Sequence, residues 1–355
     1  MSSWRSIFCW PRSRRAIKRA PRGGGLCPLL LALALLAVLS HPAAAQRLDG
    51  VNVIVSRGHP FGSPSAQQAL GRAQELGASA VAIVPFLWQP DSASPKLVRG
   101  ADITEEELRA AIRAARALSL KVVVKPHVWV DGSWAGAVAP ATEADWRAWF
   151  ASYREAIEAI AHIAAQEQAD ILVLGTELTK TVQRPEWNAL IAAARMIFPG
   201  RLTYAAHNVE EADAVPFWDQ LDLIGVTLYP PLGDDSDREA HRAAMRKNAD
   251  KLDALAARIG KSILVGEIGI RSAEGAAAKP WESAEERDAK ADPALQANVL
   301  ADWLKILDRP SIAGVLIWRW FTDPAAGGPA DTDFTVQSKP AEAALRCAWT
   351  GNCGR

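Results

Sequence analysis

The sequence ILVLGTE at residues 171–177 shows the pattern on which the fold of this chain depends. Its first four residues are apolar without alternation, which is typical of a strand buried on both faces of a parallel sheet. Residues 143–166, which precede it, carry apolar side chains at helical spacing. A helix followed by a fully buried strand predicts one unit of an α/β structure.

The same unit recurs along the chain from residue 46 onward. Short apolar runs rich in β-branched residues predict strands at Val51–Val55, Ala80–Phe86, Lys121–Lys125, Ile171–Gly175, Leu202–Ala206, Leu223–Leu228, Ser262–Gly266 and Gly314–Trp318. Stretches of helical period alternate with them at Ser65–Leu76, Thr104–Leu118, Glu143–Gln166, Pro185–Ile197, Glu211–Gln220, Asp237–Ile259, Pro293–Leu307 and Lys339–Cys347. With no linker between two halves, this alternation predicts a single (β/α)₈ TIM barrel over residues 46–355.

A doubly wound open sheet is the alternative fold with the same alternation. Such sheets usually bind a nucleotide through a glycine-rich turn after the first strand. The corresponding residues 55–59 read VSRGH and lack that turn. We therefore expect the barrel, and we expect no nucleotide or other cofactor.

The first 45 residues differ in composition from the rest. Basic residues between Arg5 and Arg22 precede an apolar run, Leu26–Leu39, which ends near three alanines at residues 43–45. This order is typical of a cleaved export signal. A membrane anchor is the alternative, but the run is shorter than the roughly 20 residues that cross a bilayer. We therefore expect a periplasmic or secreted protein with no stable membrane span after cleavage, by either the general or the twin-arginine route.

The cysteines agree with export. Cys9 and Cys27 would leave with the signal, so only Cys347 and Cys353 remain. An even pair in an oxidising compartment predicts a disulfide near the C-terminus. Two cysteines alone would leave a metal ion under-coordinated.

The charges are balanced, with 40 basic and 40 acidic residues. Binding to nucleic acid depends on clustered lysine and arginine, and no such cluster follows residue 45. The composition therefore gives no support to a nucleic-acid partner.

Polar and aromatic side chains follow the predicted strands. Active sites of TIM barrels lie at the carboxyl ends of the strands. Two glutamates, Glu177 and Glu267, follow the fourth and seventh strands, which face each other across the barrel. Retaining glycosidases use two carboxyl groups roughly 5 Å apart, one as nucleophile and one as acid/base, and the proton donor needs a raised pKa. The alternative is a pair of salt bridges at the rim with Arg57, Lys180 or Arg271.

The motifs around these glutamates resemble those of glycoside hydrolase family 113, the β-mannanase-like members of a large group of retaining (β/α)₈ glycosidases. The resemblance extends from about Asn52 to Ala341 and rests on the order of several short motifs. These motifs are Val84–Trp88, Lys125–Val128, Gly175–Leu178, Tyr229–Pro230, Gly266–Gly269, Trp318–Phe321 and Asp333–Ala341.

The resemblance implies a retaining hydrolase acting on a polysaccharide or oligosaccharide, with β-1,4-mannan as one candidate. Glu177 would be the acid/base and Glu267 the nucleophile. Tyr229 would donate its hydroxyl to Glu267, and Trp318 would form the floor under the sugar that is cleaved. Thr176 departs from the asparagine that related enzymes commonly carry before the acid/base, which changes the contact with the sugar 2-hydroxyl.

Other residues at the strand ends are candidates for sugar binding. Flat aromatic rings suit the apolar faces of pyranose sugars, and histidine can both donate and accept hydrogen bonds. The candidate substrate-binding residues are Trp88, His127, Trp129, Thr176, His207, Asn208, Tyr229, Trp318 and Trp320. Trp134 is a further candidate platform, whereas Trp146, Trp149, Trp187, Trp218 and Trp303 fall in helical patterns and are expected to pack against the barrel.

Three other chemistries remain as alternatives. His59, His127 and His207 could suggest a metal site, but the chain lacks an HxH or HxxxH pair, so no metal is expected. Lys125 could form a Schiff base in a lyase, although a cation that holds a rim carboxylate explains it more simply. A non-catalytic carbohydrate-binding barrel would keep the tryptophans and lose one glutamate, whereas both glutamates are present.

Overall fold

The computed structural model describes residues 47–99 and 102–354, so the predicted export signal at residues 1–45 lies outside the described residues. In the described chain a closed barrel is formed by β1 (Gly50–Ile54), β2 (Ala80–Ile83), β3 (Lys121–Val124), β4 (Ile171–Thr176), β5 (Arg201–His207), β6 (Ile224–Leu228), β7 (Ile263–Ile268) and β8 (Ile312–Phe321). The helices that alternate with these strands are α1 (Pro64–Glu75), α2 (Glu105–Ala117), α3 (Glu143–Gln166), α4 (Glu186–Ile197), α5 (Asn208–Ala214), α6 (Arg238–Ile259), α7 (Pro293–Ile306) and α8 (Ala341–Thr350).

Each strand pairs in parallel with the next strand in sequence, and β8 closes the barrel against β1. The predicted single (β/α)₈ barrel is therefore confirmed. All eight carboxyl ends meet at one mouth because every pair is parallel.

Two strands end earlier than predicted, each before a proline. β2 ends at Ile83 and β3 ends at Val124, and Pro85 and Pro126 follow them at matching positions. Proline has no N–H group to donate to a strand ladder. Beyond the prolines the chain leaves the barrel and forms a small sheet above it.

This small sheet, here called the rim sheet, consists of Phe86–Gln89, His127–Val130 and Val98–Arg99. Its side chains alternate between buried residues such as Leu87 and Val128 and more exposed residues such as Trp88 and Trp129. The alternation of the strand backbone therefore turns one row of aromatic and imidazole side chains away from the core.

The fifth helix is shifted from its prediction. The helix was expected over Glu211–Gln220, but α5 spans Asn208–Ala214 and a separate 3₁₀ turn spans Trp218–Gln220. Pro216 explains the break, because proline disfavours helical backbone in the residue before it. Val215 has an extended backbone accordingly, with ψ of 123°.

The core has two parts. Ala80, Ala82 and Val173 belong to a cluster of strand residues inside the barrel, whereas the alternate residues Val81 and Ile83 pack with the helices. The helix tryptophans Trp149, Trp187 and Trp303 are buried in the outer layer, as predicted.

The remaining predictions on the fold concern the C-terminus and the membrane. The disulfide between Cys347 and Cys353 is present and closes the end of α8. Within residues 47–99 and 102–354, none of the helices has the length and apolarity required to cross a bilayer.

Candidate active site

Glu177 and Glu267 lie at the mouth of the barrel on β4 and β7. Glu177 directly follows β4 and has a left-handed backbone (φ 55°), and its N–H donates to the carbonyl of Ala205 at 2.8 Å. A left-handed conformation in a residue other than glycine costs of order 1 kcal/mol and persists where the surroundings hold it. Glu267 lies inside β7, where the pairing with β6 shifts by one residue.

Thr227 on β6 links the two glutamates. It is the strand partner of Glu267 in the ladder between β6 and β7. Its hydroxyl donates to Oε1 of Glu177 at 2.6 Å. The two carboxylates are therefore neighbours of the same residue and face the same opening. Thr227 is not among the residues predicted from the sequence, although a single hydroxyl near the end of a buried apolar strand is a visible signal.

Glu267 is buried and is held by a cation and a hydroxyl. The ammonium of Lys125 forms an ion pair with Oε1, and the hydroxyl of Tyr229 donates to Oε2 at 3.0 Å. The predicted hydrogen bond from Tyr229 is thus present. Burial and the charge of Glu267 raise the pKa of Tyr229 well above its usual value, so the phenol remains a hydrogen-bond donor.

Lys125 is fully buried between Glu267 and Trp318. Its Nζ lies 5.1 Å from the centre of the Trp318 ring. This contact matches the simpler explanation of Lys125 as a cation that holds a carboxylate. The predicted alternative of rim salt bridges is wrong, because the partner of Glu267 is Lys125. Arg271 instead donates to the backbone carbonyls of Ser283 and Arg287 and so folds the segment after β7.

Glu177 is held by His207 and Thr227. Nδ1 of His207 lies 3.0 Å from Oε1 of Glu177. Burial acts to raise the pKa of Glu177, but the hydrogen bonds from His207 and Thr227 lower it below its usual value. The proton donor was expected to have a raised pKa. Glu177 is instead ionised, because its hydrogen-bond donors outweigh its burial.

Asn208 orients the imidazole of His207. Oδ1 of Asn208 accepts from the backbone N–H of Tyr229 at 2.9 Å, so Nδ2 faces Nε2 of His207 at 3.0 Å. Nε2 then accepts a hydrogen bond and Nδ1 donates to Glu177, which corresponds to the neutral imidazole. Burial lowers the pKa of His207 and Glu177 raises it, with a net rise. The amide of Asn208 works against that rise, since a second proton on Nε2 would require the amide to turn.

His127 projects from the rim sheet near Glu177 and Glu267. Burial lowers the pKa of His127 further than the charges of Glu267 and Glu177 raise it, so the imidazole is neutral. Its Nδ1 is buried and has no hydrogen-bond partner in the structure. A neutral imidazole can donate through one ring nitrogen and accept at the other, so the predicted hydrogen bond from His127 to a sugar hydroxyl stays a prediction.

The predicted aromatic platforms fall into different environments. Trp88 and Trp129 are exposed on the rim sheet with ring centres 5.6 Å apart. Trp318 is half-buried beside Lys125. Trp320, in contrast, is fully buried and its Nε1 donates to the carbonyl of Ala69 in α1. The prediction that Trp320 binds substrate is therefore wrong.

A bulge in β8 explains why Trp318 and Trp320 differ. Residues two apart in a regular strand share a face. Here β1 advances from Val51 to Val53 while β8 advances from Ile317 to Trp320, so β8 contains one extra residue. One extra residue reverses which face the following side chains take. Trp318 therefore stays near the mouth and Trp320 turns outward against α1.

Thr176 is buried at the end of β4, and its hydroxyl donates to the carbonyl of Pro126 at 3.1 Å. The hydroxyl thus connects the end of β4 to the segment after β3. The expected contact of Thr176 with a sugar hydroxyl stays a prediction.

No group of three or more His, Cys, Asp or Glu residues is arranged to hold a metal ion within residues 47–99 and 102–354. Of the predicted site residues, those gathered around the mouth are Glu177, Glu267, His127, His207, Asn208, Tyr229 and Trp318. Trp88 and Trp129 lie on the adjoining rim sheet, Thr176 is buried at the end of β4, and Trp320 turns outward against α1.

Comparison of the chain with known proteins identifies its family. The chain matches the profile of Glycoside Hydrolase Family 113 over residues 53–339. Among solved structures, the GH113 β-mannanase AaManA from Alicyclobacillus acidocaldarius, in complex with ManMIm, is 23% identical, with a TM-score of 0.76 over 86% of this chain and 97% of that chain. A GH113 β-1,4-mannanase complex is 24% identical, with a TM-score of 0.75 over 86% and 99%.

More distant structures share the barrel. A β-glucuronidase from Ruminococcus gnavus is 14% identical, with a TM-score of 0.59 over 85% of this chain and 50% of that chain. At these identities the structural likeness supports the fold. No curated protein matches the chain. Because the family profile covers most of its length, the chain belongs to Glycoside Hydrolase Family 113 and is an O-glycoside hydrolase.

Proposed function

We propose that the protein is a retaining hydrolase that cleaves β-glycosidic bonds of a polysaccharide or oligosaccharide, with β-1,4-mannan as the leading candidate. Glu267 acts as the nucleophile and Glu177 as the general acid/base. The observation that carries the proposal is the pair of carboxylates on either side of Thr227, each with partners suited to a different role.

The partners of Glu267 suit a nucleophile. Lys125 and Tyr229 each contact one of its carboxylate oxygens, so the group is charged, aligned and shielded from water. In the first step this carboxylate attacks the anomeric carbon of the sugar and forms a covalent glycosyl–enzyme ester. The glycosidic bond breaks as the leaving oxygen receives a proton from Glu177.

The partners of Glu177 suit a residue that gains and loses a proton. It needs a proton for the first step and must remove one from water in the second. In the ligand-free site it is ionised. A bound sugar excludes water, and burial is already the largest single influence on the pKa of Glu177 and acts to raise it. Substrate binding therefore shifts the group toward the protonated form.

The substrate and the location follow from independent observations. Two of the similar solved structures are a β-mannanase and a β-1,4-mannanase, which favours a β-mannan over other glycans.

The apolar stretch before residue 45 and the disulfide between Cys347 and Cys353 favour export to the periplasm or the medium. A polymer too large to enter a cell requires an enzyme outside it.

The test combines stereochemistry with chemical rescue. The purified protein is incubated with β-mannan, glucomannan, other β-glycans and aryl β-glycosides, and the anomer first released is read by NMR. We expect a β product, and we expect Glu267→Ala and Glu177→Ala to lower kcat on mannan at least 1,000-fold, an order expected when one member of such a pair is lost.

Azide separates the two roles because it can replace a missing carboxylate. Azide added to Glu267→Ala should give an α-glycosyl azide, and azide added to Glu177→Ala should give a β-glycosyl azide. Release of an α product by the wild type, or unchanged activity in both variants, would refute the proposal.

A further inference from the structure

We propose that Trp134 forms a sugar-binding platform on the leaving-group side of the cleaved bond, so that the enzyme binds glycan on both sides of that bond. The inference rests on the proposed roles of Glu177 and Glu267. It follows from where Trp134 is attached, how its ring is supported and which catalytic residue it adjoins.

Trp134 is attached to the Glu177 side of the mouth. Its ring centre lies 5.0 Å from that of His207 at an interplanar angle of 60°. His207 in turn contacts Glu177 through Nδ1 at 3.0 Å. The 3₁₀ turn Ala135–Ala137 that follows Trp134 packs against Thr179–Thr181, the turn just after Glu177. Two separate contacts therefore connect this tryptophan to the acid/base.

One side of the Trp134 ring packs against the backbone at Gly136, and the side chain is open to solvent. A Cβ atom added to Gly136 would lie 2.2–2.6 Å from three atoms of the Trp134 ring, so only glycine fits beneath it. The side chain is nevertheless 46% exposed. A large apolar ring that the backbone holds in place and leaves open to solvent is a preformed surface, and it loses little conformational entropy when a ligand covers it.

The reaction determines which sugar this surface meets. The acid/base donates its proton to the leaving oxygen, and the nucleophile attacks the anomeric carbon from the opposite face. Trp318 is connected to Glu267 through Lys125, whereas Trp134 is connected to Glu177 through His207. Trp318 therefore belongs to the sugar that is transferred, and Trp134 belongs to the sugar that leaves.

The other exposed tryptophans are placed differently. Trp88 and Trp129 contact each other and Phe86 on the rim sheet. Trp281 lies in the segment after β7 and is 48% exposed, close to the value for Trp134. In the described part of the chain, neither the rim-sheet pair nor Trp281 has a ring contact with His207. Trp281 is thus a matched control for the loss of an exposed indole.

A platform on this side should also bind an acceptor sugar. In the second step the ester bond between the anomeric carbon and Glu267 breaks. A new bond then forms either to water, which gives hydrolysis, or to a hydroxyl of a sugar held on Trp134, which gives transfer. In both cases the attacking hydroxyl loses its proton to Glu177. The ratio of transfer to hydrolysis therefore reports on occupancy of the Trp134 platform.

The experiment uses an aryl β-glycoside of the sugar that the wild type cleaves best, with a β-linked disaccharide of that sugar as acceptor. Released phenol, free sugar and transfer product are measured as the acceptor concentration rises. Trp134→Phe keeps a ring, and Trp134→Leu keeps apolar bulk without one. Stacking on an aromatic ring contributes about 0.5–1.5 kcal/mol beyond apolar burial.

We expect Trp134→Leu to need about tenfold more acceptor for half-maximal transfer, Trp134→Phe two- to threefold more, and Trp281→Leu no more than the wild type. Equal acceptor dependence in Trp134→Leu and the wild type, or an equal loss in Trp281→Leu, would overturn the role of Trp134. A wild type that releases phenol with inversion, or none at all, would instead overturn the proposed function on which the inference rests.

Discussion

Replacement of Lys125 with methionine tests how Glu267 is held. Methionine has a similar length and no charge, so the change leaves a buried carboxylate without its cation. Lys125 is fully buried, and the Glu267 side chain is 6% exposed. Removal of one partner from a buried ion pair typically costs about 3–5 kcal/mol in the free energy of unfolding.

Proton uptake limits that cost, because a buried carboxyl group without its cation can become neutral while the hydrogen bond from Tyr229 remains. We therefore expect Lys125→Met to lower the free energy of unfolding by about 3 kcal/mol at pH 7. A carboxylate takes up a proton more readily at lower pH, so the loss should be smaller at pH 5.

Urea unfolding of four proteins at the two pH values provides the assay. Lys121→Met is the matched control, because Lys121 begins the same strand and forms an ion pair with Asp170 that is open to solvent. Such surface pairs contribute about 0–1 kcal/mol. The double variant Lys125→Met/Glu267→Gln should recover most of the loss, since it leaves no buried charge. A Lys125→Met loss no larger than that of Lys121→Met, or no recovery in the double variant, would refute the buried ion pair as the cause.

Three further predictions concern the acid/base, the nucleophile and the bulge. NMR titration of the His207 ring should show a lower pKa in Glu177→Gln, because the carboxylate that raises the pKa is gone. It should show a higher pKa in Asn208→Asp, because a carboxylate then accepts from Nε2. An unchanged pKa in both variants would contradict this network. Tyr229→Phe should lower kcat about 10- to 100-fold, with a smaller change in KM, because one charge-assisted hydrogen bond to Glu267 is lost. Equal activity of the variant and the wild type would mean that Tyr229 has no part in the mechanism. Trp320→Ala should lower the free energy of unfolding, measured with urea, by about 3–5 kcal/mol, and Trp318→Ala should lower it by less than half as much. Initial rates should fall more in Trp318→Ala than in Trp320→Ala. The reverse order of these losses would mean that the bulge does not separate the two rings.

Local patterns in the sequence were sufficient for much of the fold. Runs such as Ile171–Leu174 are buried on both faces, and unbroken apolar character is the property that distinguishes such strands from half-exposed ones. The predicted start of the second helix at Thr104 lies one residue before the observed start at Glu105, where Thr104 and Glu107 form a capping box. The errors at the ends of β2 and β3 came from Pro85 and Pro126, and the error in α5 came from Pro216. The local effects of these prolines were readable but were outweighed by the surrounding periodicity.

Contacts between distant residues could not be read in this way. Glu177 and Glu267 are recognisable because each directly follows or ends an apolar strand, but the placement of Thr227 between them depends on the register of β6 against β7. The choice of Lys125 as the partner of Glu267 depends on the barrel closing so that residues 142 positions apart meet.

The sequence by itself determined the class of fold, the positions of its strands and helices, and the two glutamates at the strand ends, because strand burial and helical period are properties of neighbouring residues. The tertiary structure alone decided what each glutamate contacts and which tryptophans remain at the opening. One extra residue in β8 places Trp318 at the mouth and Trp320 in the core, although residues two apart in a regular strand would share a face. That difference arises from pairing between strands β1 and β8, which lie at opposite ends of the barrel sequence and meet only when the barrel closes.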